Sequence, residues 1–156
     1  MSRRLSVLAA ALALAALACI EPANAADPAY PGDWKIDSAV EAPWAKAKIS
    51  QSETSRLIGR TVTLKAKEIV GPQPIACKGA VYKVMDYSAD MLFQGAFEEM
   101  HDTNKSADPQ KLAESLGFTG KTFQTLETGC DIDWHFVNPT TVNIGLDNFV
   151  YTLKKQ

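Results

Sequence analysis

The 156-residue chain has no long run of lysine or arginine, and its 16 basic residues are outnumbered by 18 acidic ones. Nucleic acid and anionic membrane surfaces are recognised by a concentrated positive face, so neither is an expected partner. Beyond the N-terminal region no apolar stretch approaches the roughly 20 residues that a membrane-spanning helix requires, and no transmembrane segment is expected. There is no Gly-x-Ser-x-Gly elbow, no Cys-x-x-Cys pair, and only two histidines, His101 and His135. That leaves little material for nucleophilic hydrolysis or thiol redox chemistry. Internal repeats are absent as well.

The N-terminus is informative. Arg3 and Arg4 precede an apolar run from Leu5 to Ile20, and Ala23-Asn24-Ala25 stands before Ala26. A basic start, a short apolar core and an Ala-x-Ala exit are what secretion and signal peptidase require, so residues 1–25 read as a signal peptide removed after Ala25. Ala16-Leu17-Ala18-Cys19 also resembles a bacterial lipobox, whose cysteine becomes the lipidated first residue of an envelope protein; Ala16 stands where that motif prefers leucine, and the Ala-x-Ala site is the better match. The protein is expected to be periplasmic or secreted. Cleavage removes Arg3, Arg4, Glu21 and Cys19, leaving 131 residues with 14 basic and 17 acidic side chains, a net charge of −3, and two cysteines. In an oxidising compartment Cys77 and Cys130 are expected to form a structural disulfide. Closing a loop of about 50 residues constrains the unfolded chain by about 3–4 kcal/mol.

Pro28, Pro31 and Gly32 mark residues 26–33 as an extended leader, and residues 34–156 as one β-rich domain. Trp34 to Trp44, interrupted by Pro43, has no firm assignment. Ser50 to Leu57 is polar and suggests a short helix. Strands are expected at Arg60 to Ile69 and Cys77 to Tyr87, where apolar and polar residues alternate. Met91 to Phe97 is ambiguous because Gly95 weakens a helix. Asp108-Pro109 followed by Gln110 to Leu116 and Gly117 has a cap, a proline at the first helical position and a terminating glycine. Four further strands follow, at Lys121 to Thr128, Cys130 to Val137, Thr141 to Leu146 and Phe149 to Leu153. Asp147-Asn148 is the tight-turn signal of a hairpin. The expected fold is mainly β with one or two short helices (α+β), an antiparallel meander forming a small curved sheet or barrel with one disulfide.

Within "CDIDWHF", an extended strand sends Cys130, Ile132, Trp134 and Phe136 one way and Asp131, Asp133 and His135 the other. Asp131, Asp133 and His135 are therefore the candidate metal or ligand row, with Glu127, Thr141 or Asn143 as neighbours able to complete it. Short aspartates about 7 Å apart converge poorly on one ion, and the favoured reading of this row is the solvated face of a half-buried strand. Glu98-x-x-His101 has the spacing of one half of a di-metal carboxylate site but lacks the other half, and reads as a helix-end charge cluster. Gly120-Lys121-Thr122 lacks the glycine, strand and helix of a phosphate-binding loop. The aromatics Trp34, Trp44, Tyr82, Phe123, Trp134, Phe136, Phe149 and Tyr151 suit a filled core or, alternatively, a barrel holding one apolar molecule.

Together these features point to an exported binding protein of the bacterial envelope, without catalytic activity and without a cofactor. A basic protein is the partner expected from its acidic surface, for example a cell-wall-degrading enzyme such as lysozyme that it inhibits, contacted by a loop carrying Asp86, Asp90, Glu98 or Asp102. The alternatives are a carrier of a small apolar ligand, and a metal-dependent enzyme or metal-binding protein using the Asp131, Asp133 and His135 row.

Overall fold

Period-two alternation dominates the chain, and a computed structural model, which describes residues 30–46, 52 and 54–156, shows the sheet this produces. The expected cleavage after Ala25, the Cys19 motif, most of the expected leader and part of the Ser50 to Leu57 stretch lie outside the described residues. Among the described residues nine strands form one antiparallel sheet: β1 (Gly32–Glu41), β2 (Thr61–Lys65), β3 (Glu68–Val70), β4 (Cys77–Lys78), β5 (Lys83–Tyr87), β6 (Phe123–Glu127), β7 (Trp134–Asn138), β8 (Thr141–Leu146) and β9 (Phe149–Lys155). Their order is β4-β3-β2-β1-β9-β8-β7-β6-β5, and the sheet curls into a half-barrel. The expected mainly-β antiparallel architecture is therefore present.

β1, which the sequence left unassigned, lies in the middle of the sheet. It pairs with β2 through Trp34 opposite Val62 and with β9 through Ile36 opposite Leu153. It begins at Gly32, inside the expected leader. The expected strand from Arg60 to Ile69 is a hairpin, because the chain turns at Ala66 and Lys67 to set Lys65 opposite Glu68. The strand expected from Cys77 to Tyr87 is likewise split: Gly79 and Ala80 bend back to donate to the Lys67 carbonyl, both at 2.9 Å. The described part of the Ser50 to Leu57 stretch contains a single 3₁₀ turn at Thr54–Arg56. β8, β9 and their Asp147-Asn148 turn fall where alternation places them, with Leu146 opposite Phe149.

The two faces of the sheet differ. Trp34, Ile36, Val62, Leu64, Leu126, Trp134, Phe136, Val142, Ile144 and Leu153 are buried on the concave face in one apolar cluster. The opposite face of β5 to β9 is covered by α1 (Leu92–Thr103), α2 (Pro109–Ser115) and the loop after it, through Leu92, Phe93, Phe97, Ala113 and the loop residue Phe118 against Phe123 and Val150. α2 starts as expected: the Asp108 carboxylate accepts from the backbone N–H of Gln110 at 2.9 Å and of Lys111 at 3.4 Å, with Pro109 in the first turn. The Cys77–Cys130 disulfide joins β4 to the loop between β6 and β7, closing a sequence separation of 53 residues. Beside it Val81 N–H donates to the Thr128 carbonyl at 2.8 Å, so the open side of the half-barrel is tied covalently and by backbone.

Candidate functional site

Asp131, Asp133 and His135 do not form a row on one strand. β7 begins only at Trp134, because the preceding loop folds around Thr128. The Thr128 hydroxyl donates to the Ile132 carbonyl at 2.8 Å and accepts from Cys130 N–H at 3.2 Å. Asp131 is exposed and Asp133 half-buried, while His135 has no solvent exposure at all. The solvated-face reading is thus corrected for His135: the helices α1 and α2 roof this part of the sheet.

Both ring nitrogens of His135 are engaged. Phe93 N–H donates to Nε2 at 3.0 Å, so the proton of the neutral ring sits on Nδ1 and is donated to the Thr125 hydroxyl oxygen at 2.9 Å. Burial holds this imidazole neutral, its pKa pushed down to about 3. The backbone that His135 grips is unusual: Phe93, Gln94 and Gly95 adopt φ of 54°, 57° and 78°, three successive left-handed residues at the head of α1. Glycine takes this conformation freely and the other two do so at a cost of about 1 kcal/mol or more each. Next along the row, Asn143 Nδ2 donates to the Leu116 carbonyl at 2.9 Å and its Oδ1 accepts from the Thr152 hydroxyl at 2.9 Å. Thr125, His135, Asn143 and Thr152 stand opposite one another across four strands. This polar row fastens the helical cap to the sheet.

Above it lies a second group. Asp133 accepts hydrogen bonds from the Thr128 backbone and the Gln94 side chain, yet burial and the neighbouring Glu127 charge raise its pKa from the ordinary aspartate value. The Tyr87 hydroxyl donates to Glu127 at 2.8 Å, and burial, that bond and the charges of Asp133 and Glu127 push its pKa up to about 12. Among the described residues no group of three or more His, Cys, Asp or Glu side chains is placed to hold a metal ion. His101 donates from Nδ1 to the Ala107 carbonyl at 2.8 Å, and Asp102 pairs with Lys105 at 2.8 Å. Glu98 is exposed, so the Glu98 to Asp102 stretch is a solvated helix end. On the concave side, Trp34 packs edge-on against Trp134 at 5.8 Å and Phe136 at 6.0 Å.

A cleft of about 400 Å³ opens where α1 meets the chain leaving β1. Pro43, Trp44, Ala96, Met100 and Ala107 give it an apolar lining, with Glu99 and Lys46 also in its walls. Trp44 is half-buried, 5.1 Å from the Phe93 ring and 6.0 Å from Phe97, and its indole N–H donates to the Asp147 carbonyl at 2.9 Å. Gly145 makes this seat possible: a Cβ there would lie 3.0 Å from Phe93 Cδ1 and 3.2 Å from the Trp44 ring. α1 carries three carboxylates, Glu98, Glu99 and Asp102, with His101 in its last turn. Sequence reasoning named Trp44 only among the aromatics, because the cleft joins segments some fifty residues apart. The available signal was a tryptophan beside Pro43, outside the alternating pattern.

The chain matches no family model, no curated protein and no solved structure.

Proposed function

We propose that the mature protein is an exported, non-catalytic binding module that seats a basic side chain of a partner protein in the Trp44 cleft, and that it inhibits a basic cell-wall-degrading enzyme such as lysozyme. The observation that carries this reading is the half-buried Trp44 in an apolar cleft whose α1 wall presents Glu99, with Lys46 on the chain leaving β1. A lysine or arginine stem packs on Met100, Ala96 and Pro43, its cation meets the Trp44 ring, and Glu99 accepts from its head. Two further features support binding over catalysis. His135 and His101 spend ring nitrogens on fixing the cap and its loop, and Cys77 and Cys130 are joined. The disulfide also suits an oxidising compartment outside the cytoplasm.

The test is surface plasmon resonance of lysozyme over the immobilised mature chain, with cell-wall lysis as the second readout. Binding that weakens with added salt and falls about ten-fold on Trp44→Ala, with a smaller loss on Glu99→Gln, is the expected result. No binding at low ionic strength, or binding indifferent to both substitutions, overturns the reading.

A further inference from the structure

Another cleft lies at the mouth of the half-barrel, beside the Asp147-Asn148 turn. Its volume is about 310 Å³. Leu57, Phe149 and Tyr151, all buried members of the concave cluster, contribute its apolar wall. Arg56 and Arg60, both exposed, stand in its rim together with Gln73 and Asp147.

The placement of arginine is selective. The chain has four arginines; Arg3 and Arg4 belong to the basic start of the signal, and the other two, Arg56 and Arg60, line this one cleft. All other positive side chains are lysines, and those at Lys65, Lys105 and Lys154 are spent on surface pairs with Glu68, Asp102 and Asp37. Arg56 and Arg60 make no ion pair among the described residues, not even with Asp147 across the same rim, so the mouth carries an excess of one positive charge. Guanidinium differs from ammonium in offering a planar fork that takes a carboxylate through two parallel hydrogen bonds. A concave site at a barrel mouth, with an aromatic wall and a few polar groups at its edge, is a small-molecule geometry.

We propose that this mouth binds a small organic anion, a carboxylate carried on a compact apolar or aromatic body. The carboxylate takes the Arg56 and Arg60 forks, and the body lies against Phe149, Tyr151 and Leu57. Gln73, also in the lining, supplies a neutral donor. The site differs from the Trp44 cleft in its lining and takes the opposite charge, although the two meet at Asp147, whose carbonyl accepts from the Trp44 indole.

Benzoate and its uncharged analogue benzyl alcohol are the probes, titrated into the ¹⁵N-labelled mature chain and followed by amide chemical shifts. Expected are amide shifts at residues 56–60, at Gln73 and at residues 146–151 with benzoate, weakening with salt, and much smaller ones with benzyl alcohol. Arg56→Gln/Arg60→Gln weakens benzoate binding about ten-fold or more, and Arg56→Lys/Arg60→Lys, which keeps the charge but not the fork, falls between. Both arginines are exposed, so the variants are expected to retain the wild-type amide pattern elsewhere. Equal affinity for the two probes, no shift at these residues, or benzoate binding unchanged in the glutamine variant each overturns the proposal.

Discussion

The two faces of one sheet are held by different physics. On the concave face Trp34, Trp134, Phe136, Ile144 and Leu153 exclude water by volume, and nearly every contact is apolar. On the capped face hydrophobic contacts at Phe93, Phe97 and Phe118 are interleaved with Thr125, His135 and Asn143, buried polar residues whose partners include the cap's own backbone. An apolar face tolerates rearrangement as long as volume is kept, whereas a buried donor must meet its acceptor. The concave face holds the larger apolar cluster. The capped face supplies the position of α1, and with it the seat of Trp44.

The sharpest contrast is at Trp134. Trp134→Ala is expected to cost about 3–5 kcal/mol, seen as a lower urea midpoint, because it removes a fully buried ring from the concave cluster. Its indole N–H meets no acceptor among the described residues, so nothing polar is lost with it. Trp134→Phe, which keeps an aromatic ring and deletes the unpaired N–H, should recover most of the loss. A phenylalanine variant as unstable as the alanine variant would mean that this face, too, depends on a polar contact, and the contrast would break.

His135 probes the other face. His135→Ala strands the Phe93 N–H in a buried site, at a cost of about 1–3 kcal/mol. The measurement that separates it from Trp134 is amide exchange: Phe93 to Gly95, held left-handed by this bond, should exchange faster while the concave strands stay protected. Acid gives a second readout. The unfolded chain protonates His135 near pH 6.5, but the folded chain resists until about pH 3. Between those values the unfolded state binds more protons, so stability is full above 6.5 and declines as pH falls through the window. Between pH 6.5 and 5.5, where most carboxylates stay ionised, wild type should lose stability and His135→Ala should not.

How much of this was readable in the chain follows from the same contrast. β8 and β9 are legible because Val142, Ile144 and Leu146, then Phe149, Tyr151 and Leu153, alternate on either side of a turn that Asp147 can make at φ 53°. α2 is legible from Asp108 and Pro109, since a cap is a local signal. β1 is not, because its partners lie about 30 and 120 residues away in sequence and no local pattern names them. The reading of His135 as solvent-facing followed correctly from strand parity; the roof over it is tertiary. Left-handed Phe93 and Gln94 are equally silent, since neither residue type prefers that conformation.

The smallest expected effect is the most discriminating about the group above that roof. Asp133 has its pKa raised by burial and by Glu127, with the bonds from Thr128 and Gln94 acting the other way. Its ionised form is therefore disfavoured on folding: the unfolded chain releases the proton first, and stability falls as pH rises through the window above 3.8. Asp133→Asn keeps an oxygen for the Thr128 N–H and removes the charge. It should stabilise the protein at pH 7 by less than about 1 kcal/mol, since the half-exposed carboxylate is screened by solvent. The same substitution should move the Tyr87 titration, followed by phenolate absorbance, downward from about 12, because Asp133 is one of the charges that raise it. A destabilised Asp133→Asn would mean that the Thr128 and Gln94 bonds require the full negative charge, placing the carboxylate with His135 among the groups that hold the cap.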